Sequence, residues 1–236
     1  MSLTAAPEWF FANRSRFPIQ PVQTNKTYVN VSGTIEFGLP FVAPATNARA
    51  MSICLSSTDA ANRRVTGISW GAAFGLEREA NYQRASPQTF LHNQLWRAEV
   101  PAVHGDSADF VLTLSGSGSI DRLCLTVFGT TDLDSILAVD DGESDGTGFS
   151  RTMFNIATTA EGLAIGSIAI LDGSGSVSGA SGNLSTGSMI VADQSSAFEL
   201  SHAAFYGPTP ATDTIEDFTA SYTPAAPSAS TIATFK

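Results

Sequence analysis

The chain has 236 residues, a length at which an all-β sandwich forms a single domain and buries a core without disulfides or metals. Hydrophobic residues make up 43% and charged residues only 14%, a composition that excludes a disordered chain. The net charge is −10, and sixteen of the 22 acidic residues follow position 100, so the chain lacks the basic surface that nucleic acid or an anionic membrane requires. We therefore predict neither a nucleic-acid partner nor membrane insertion.

The first 26 residues form a segment of their own. They hold four aromatic and two arginine side chains with no helical or strand periodicity, and a disordered tag rarely contains so many aromatics. We predict an extended N-terminal arm over residues 1–26 that docks on another copy or on a partner protein; the alternative is an arm folded back on its own domain. The predicted contact residues are Trp9, Phe10, Phe11, Arg14, Arg16 and Phe17. The segment lacks the apolar run of a secretion signal, which predicts cytoplasmic synthesis.

From residue 27 onward, short apolar runs separated by turn residues predict strands. KTYVNVSG alternates, ARAMSICLSS and RVTGISWG flank a hairpin-like turn, and DFVLTLSG and RLCLTVFG each place three apolar residues on one face. No stretch predicts a helix of three turns. About ten strands at intervals of eight to twelve residues predict one antiparallel β-sandwich or jelly roll over residues 27–236.

Two segments of the second half read as connections. TTDLDSILAVDDGESDGTG predicts a loop, and DGSGSVSGASGNLSTGS predicts a long hairpin connection or a strand edge with turns. Within the first, Asp141, Glu143 and Asp145 alternate before Gly146, as at the opening of a calcium loop. The bidentate glutamate of such a loop is replaced by Thr152, so a solvated acidic turn is favoured and calcium is the alternative.

Motifs of catalysis are absent from the sequence. The three histidines stand at no metal-ligand spacing with the two cysteines, and neither a nucleophile elbow nor a phosphate loop occurs. We predict no catalytic residue, no cofactor and no metal. Cys54 and Cys124 lie in apolar runs and read as buried free thiols, with a disulfide as the alternative.

Two weaker alternatives rest on carboxylates and aromatics. Glu77 and Glu79 share one face of a predicted strand and Glu99 lies on another strand, so they are candidates for the carboxylate pair of a glycoside hydrolase. Ion pairing with neighbours such as Arg84 and Arg97, or simple solvation, is favoured. Trp70 and Trp96 are the candidates for stacking on a glycan, although packing in the core is favoured.

Several strands carry a resemblance. VTGISWGAAFGLERE, QLWRAEVP and ADFVLTLSG, together with GLAIGSIAILDGSGSV and AFELSHAAFYG, resemble the β-sandwich accessory proteins of tailed bacteriophages and prophages. The resemblance implies a virion location, a structural role and no catalytic position, with the N-terminal arm as the attachment element.

Three functions follow for testing. The first is a non-enzymatic virion protein, a head decoration, head spike or fibre, or tail component, that forms a homo-oligomer (a trimer is plausible) and contacts other virion proteins. The second is a carbohydrate-binding module that recognises a host surface glycan, and the third is a polysaccharide hydrolase.

Overall fold

A computed structural model shows an all-β chain. It describes residues 20–21, 26–38, 49–70, 72–85, 88–99, 107–131, 137–160, 162–172, 176–180, 185–186, 190–191, 199–209 and 212–236. These residues form antiparallel sheets and contain no helix, so the prediction of an antiparallel β-sandwich is confirmed. None of them belongs to a helix capable of crossing a bilayer.

The first sheet has nine strands and is nearly closed on itself. They follow the order β1-β9-β4-β7-β6-β5-β8-β3, and β2 also pairs with β9. Their bounds are β1 Gln20–Pro21, β2 Lys26–Val31, β3 Thr34–Gly38, β4 Arg49–Asp59, β5 Val65–Trp70, β6 Ala72–Ala85, β7 Gln88–Glu99, β8 Ser107–Leu114 and β9 Ile120–Thr131. Gln20–Pro21, within the predicted arm of residues 1–26, pairs with the edge of this sheet at Phe128 and Gly129.

The second sheet has seven strands in the order β10-β16-β11-β15-β13. In addition, β12 pairs with β16 and β14 pairs with β15. Their bounds are β10 Asp140–Thr158, β11 Leu163–Ile170, β12 Ser176–Ala180, β13 Ser185–Thr186, β14 Ile190–Val191, β15 Ser201–Pro208 and β16 Thr214–Phe235. The Gly/Ser-rich run, for which a long hairpin connection and a strand edge with turns were both predicted, contains the short strands β12 and β13.

The two sheets pack face to face, with β6 and β7 against β10 and β16, β4 against β11, and β9 against β15. Strands in this interface are buried on both faces, which explains why LAIGSIAI of β11 is a continuous run of small and apolar residues without alternation. One apolar cluster fills the interior of the first sheet, two lie between the sheets, and one lies under the second sheet. Both cysteines are buried and free, so the disulfide does not form.

The predicted acidic loop is wrong, because residues 140–148 belong to the 19-residue strand β10. Asp140 to Gly148 pair with β16 from Thr234 to Ala226, and residues 150–158 pair with its earlier half. The strand pair bends so that its two halves enclose the cluster that contains Met153 and Phe218. Gly142 permits the bend, because a Cβ there would overlap the Ile156 side chain.

Candidate functional site

A polar layer lies at the centre of the interface between the sheets. Asn93 of β7 donates from Nδ2 to Ser56 Oγ at 2.9 Å and to Ser167 Oγ at 3.0 Å. Its Oδ1 accepts the hydroxyl of Thr231 at 2.6 Å. All four residues are fully buried. Because a buried polar group without a partner is costly, this network specifies how one sheet is aligned on the other.

His202 of β15 extends this layer. Its Nδ1 lies 2.6 Å from Ser56 Oγ and its Nε2 lies 3.1 Å from Thr126 Oγ1. Ser56 Oγ also accepts a hydrogen bond from Asn93 Nδ2; in the tautomer protonated at Nε2, the Ser56 hydroxyl donates to Nδ1 and Nε2–H donates to Thr126 Oγ1. Burial lowers the pKa of His202 to about 3, so the ring is neutral. This serine–histidine contact is sealed between the sheets, so it is out of reach of a substrate.

A second histidine lies at one end of the first sheet. His92 Nδ1 is 3.1 Å from Glu79 Oε1, and Nε2 is 3.0 Å from Asn62 Oδ1. Ser57 lies opposite His92 in the β4–β7 register and has a buried hydroxyl. These are the residue types of a hydrolytic triad, but the nitrogen that would accept the serine proton is bonded to Asn62, and Ser57 and His92 are both buried. The cluster ties the β4–β5 turn to the β6–β7 hairpin.

Sequence reasoning missed both histidine clusters. The available signal was alternation along β7, where Asn93 and Leu95 face the second sheet while His92 and Gln94 face the interior of the first. That alternation shows which residues share a face, but the partners of each histidine come from strands distant in sequence.

The predicted calcium ligands lie on a strand rather than in a loop. Asp141 and Glu143 both pair with Arg78 of β6, at 3.1 Å to Nη1 and 3.1 Å to Nε. Alternate residues of a strand share a face, so their spacing serves this pairing between the sheets. In the described ranges, no group of three or more histidine, cysteine or acidic side chains could hold a metal ion.

The predicted carboxylate pair is separated. A bulge between Leu76 and Arg78 displaces Glu77 from the regular register. Glu77 then lies near buried Arg97, and burial raises the pKa of its carboxyl, while Glu79 contacts His92 and Arg64. The prediction that Glu77 and Glu79 share one face is therefore wrong. Glu79 does pair with basic residues, but His92 and Arg64 are not the arginines that were predicted for it.

The two tryptophans proposed for glycan contact differ in exposure. Trp96 is 3% exposed inside the first sheet, and its indole N–H donates to Gln94 Oε1 at 3.3 Å. The favoured prediction for Trp96, packing in the core, is therefore confirmed, and the glycan alternative is wrong for this residue. Trp70 is partly buried against the same core, with its ring 6.0 Å from that of Phe110.

Large exposed apolar side chains occur where β10 pairs with the first half of β16. Phe154 is 65% exposed, Ile215 is 69% exposed, and Val139, just before β10, is 42% exposed. Asp213 and Asp217 are exposed beside them. We call these five residues the edge patch.

The predicted contact residues of the arm lie outside the described residues. They are Trp9, Phe10, Phe11, Arg14, Arg16 and Phe17.

No family model, no curated protein and no solved structure matches the chain in the three comparisons made.

Proposed function

We propose that this chain is a non-enzymatic structural protein of a bacteriophage particle, which joins its neighbours through its N-terminal arm and through contacts between copies. The virion location rests on the resemblance of its strands to phage accessory proteins. The structural role rests on the chemistry of the described residues.

One observation carries the structural role. Among the described residues, both histidines and the serine bonded to one of them are enclosed in the packing of the sheets: Ser56 and His202 are fully buried, and His92 is 2% exposed. The interior of the first sheet is filled as well, and the residues around Ile53, Phe110 and Leu112 leave no room for a water molecule. Aromatic and aliphatic side chains are instead exposed on strands at a sheet edge, as at surfaces that pair with another protein.

The N-terminal arm is the second element of the proposed attachment. Within the arm, Gln20 and Pro21 pair with β9 at the edge of the first sheet, and residues 1–19, which precede this pairing, lie outside the described residues. Four aromatic side chains in that stretch gain about 1.5–3 kcal/mol each on full burial. Arginine beside aromatics is the composition of an interface anchor.

Removal of residues 1–19 tests the proposal. Because the described strands form complete cores, we expect residues 20–236 to fold with an unchanged circular-dichroism spectrum and unfolding midpoint. We expect this shortened chain to stay monomeric and to be lost from particles in a density gradient, whereas the intact chain associates and co-sediments with particles. Unfolding of the shortened chain would place the arm aromatics in the protein's own core. Unchanged association or co-sedimentation would refute attachment through the arm.

A further inference from the structure

We propose that the edge patch of one copy binds the N-terminal arm of a neighbouring copy. This inference rests on the proposed function and names the surface that receives the arm. The patch consists of Val139, Phe154 and Ile215 with Asp213 and Asp217, and the occupant is residues 1–19 of the next chain.

Hydrogen bonds bring the members of the patch together. Ile215 lies opposite Ala157 in the β10–β16 register, and Ala157 N donates to Asp140 Oδ2 at 2.7 Å. The start of β10, next to Val139, therefore lies beside its end and beside Ile215. Phe154 and Asn155 lie in a bulge of β10, and Asn155 donates its backbone N–H to Asp217 Oδ1 at 2.9 Å.

The bulge explains why Phe154 is exposed. The register slips between Met153 and Ile156, both of which are buried, so Phe154 and Asn155 of β10 lie opposite Asp217 alone and β10 accommodates one extra residue. Asn155 takes a left-handed conformation with φ 58°, and Phe154 points away from the core that its neighbours fill. Bulges of this kind re-aim a side chain at a sheet edge. A phenylalanine held outward beside an exposed isoleucine is suited to receive another aromatic group.

Charge favours the arm as the occupant. Between residues 152 and 235 the chain has no lysine or arginine, and the patch contains the exposed carboxylates Asp213 and Asp217. Residues 1–19 carry Arg14 and Arg16 against one acidic residue, Glu8. Aromatic groups on an apolar surface, flanked by arginine and aspartate, combine burial with complementary charge.

The position of the arm points to a neighbouring copy. Residues 20–21 of the arm pair with β9, which faces β15 of the second sheet. The patch lies at β10, which is the strand at the opposite edge of the second sheet and packs over β6. Two copies side by side in the same orientation therefore bring the arm of one to the patch of the next. Such a head-to-tail contact builds a ring if the rotation closes and a row if it does not.

A complementation experiment tests this inference. The first chain is residues 20–236, which keeps the patch and lacks the arm. The second chain is the full-length Phe154→Ser, Ile215→Ser variant, which keeps the arm and lacks the two most exposed apolar side chains of the patch. We expect each alone to be monomeric and the mixture to form a one-to-one complex by sedimentation velocity. Full-length Val111→Ser, altered at an exposed valine of β8, is the matched control and should associate like the intact chain.

The outcomes separate the two proposals. If residues 20–236 associate like the intact chain, the arm is not the attachment element and the proposed function fails. If they are monomeric while the double variant associates normally, the proposed function stands and this site is wrong. If the double variant is a folded monomer that does not pair with residues 20–236, the patch does not receive the arm of another copy and the inference is overturned.

A peptide measurement covers the case in which the double variant does not fold. A peptide of residues 1–19 should bind a chain of residues 20–236 in which Trp70 and Trp96 are replaced by phenylalanine. Trp9 of the peptide is then the only indole in the mixture, and its fluorescence anisotropy reports binding. Replacement of Arg14 and Arg16 by glutamate in the peptide should weaken binding at least about tenfold, and added salt should weaken the unmodified peptide. Equal binding of both peptides, or no binding, would overturn the inference.

Discussion

At the scale of the residue, His202 shows how this protein uses polar groups. Its ring is buried between the sheets and bonded on both nitrogens to hydroxyls, so it acts as a neutral connector rather than as a base. Protonation would place an unpaired charge in the interface, which the fold opposes.

Stability should therefore depend on pH through His202. The folded-state pKa of about 3 lies below the ordinary value of 6.5, so between these values the unfolded chain binds a proton that the folded chain does not. The contribution is present above pH 6.5 and is lost as the pH falls toward 3, with a slope of at most about 1.4 kcal/mol per pH unit. Urea unfolding between pH 7 and pH 4.5 should show a shallower pH dependence for His202→Gln than for the unmodified protein.

Thr126→Val is the control for this comparison, because it removes one bond to the ring and leaves the titrating group in place. It should lower the free energy of unfolding at every pH and leave the slope unchanged. Equal slopes for His202→Gln and the unmodified chain would contradict the neutral, buried histidine.

Single residues also show the limit of sequence reasoning. Alternation correctly grouped Phe110, Leu112 and Leu114 on one face of β8, since period two is fixed by strand geometry. The sequence could not predict that β7 is buried on both faces, because strands of this protein are buried on one face or on both depending on which distant strand covers them. For the same reason the sequence contained no sign that Ser56 and His202 meet.

At the scale of the element, β10 is the strand whose structure differs most from the prediction made from its sequence. Aspartate, glycine and serine are depleted in strands, and on local preference alone DDGESDGTG reads as a turn. It is a strand because β16 pairs along its length, and because its acidic residues gain Arg78 as a partner. Long-range pairing thus overrides the local preference for a turn. Gly142 within this segment is needed for close packing, because a Cβ there would overlap the Ile156 side chain.

Gly166 of β11 is also required for close packing, and the cost of replacing it can be measured. A Cβ at this position would overlap the Phe205 ring and the Thr231 carbonyl oxygen, and backbone cannot move aside easily. Gly166→Ala should therefore lower the free energy of unfolding by about 1–3 kcal/mol. Gly75→Ala, on an exposed position of β6 with its nearest neighbour at 3.8 Å, is the control and should be neutral or slightly stabilising. Equal denaturation midpoints for the two variants would contradict the close packing of β11.

At the scale of the whole molecule, two rolled sheets share one interface and leave different surfaces at their opposite edges. Regular strand spacing was enough to predict a sandwich, because short runs punctuated by turns have few other antiparallel solutions. Spacing could not predict that the first sheet nearly closes or that β10 and β16 bend over their own core. Those features depend on pairings between residues up to about a hundred positions apart, such as Asp140 with Thr234.

The molar mass of the intact chain in solution tests the central claim, self-association, most directly. Light scattering during size-exclusion chromatography over a range of loading concentrations should give a mass that is a multiple of 24.7 kDa and that falls toward this value on dilution or in high salt. A mass of one chain at every concentration and at low salt would contradict the account, because the arm and the edge patch would then not join neighbouring copies.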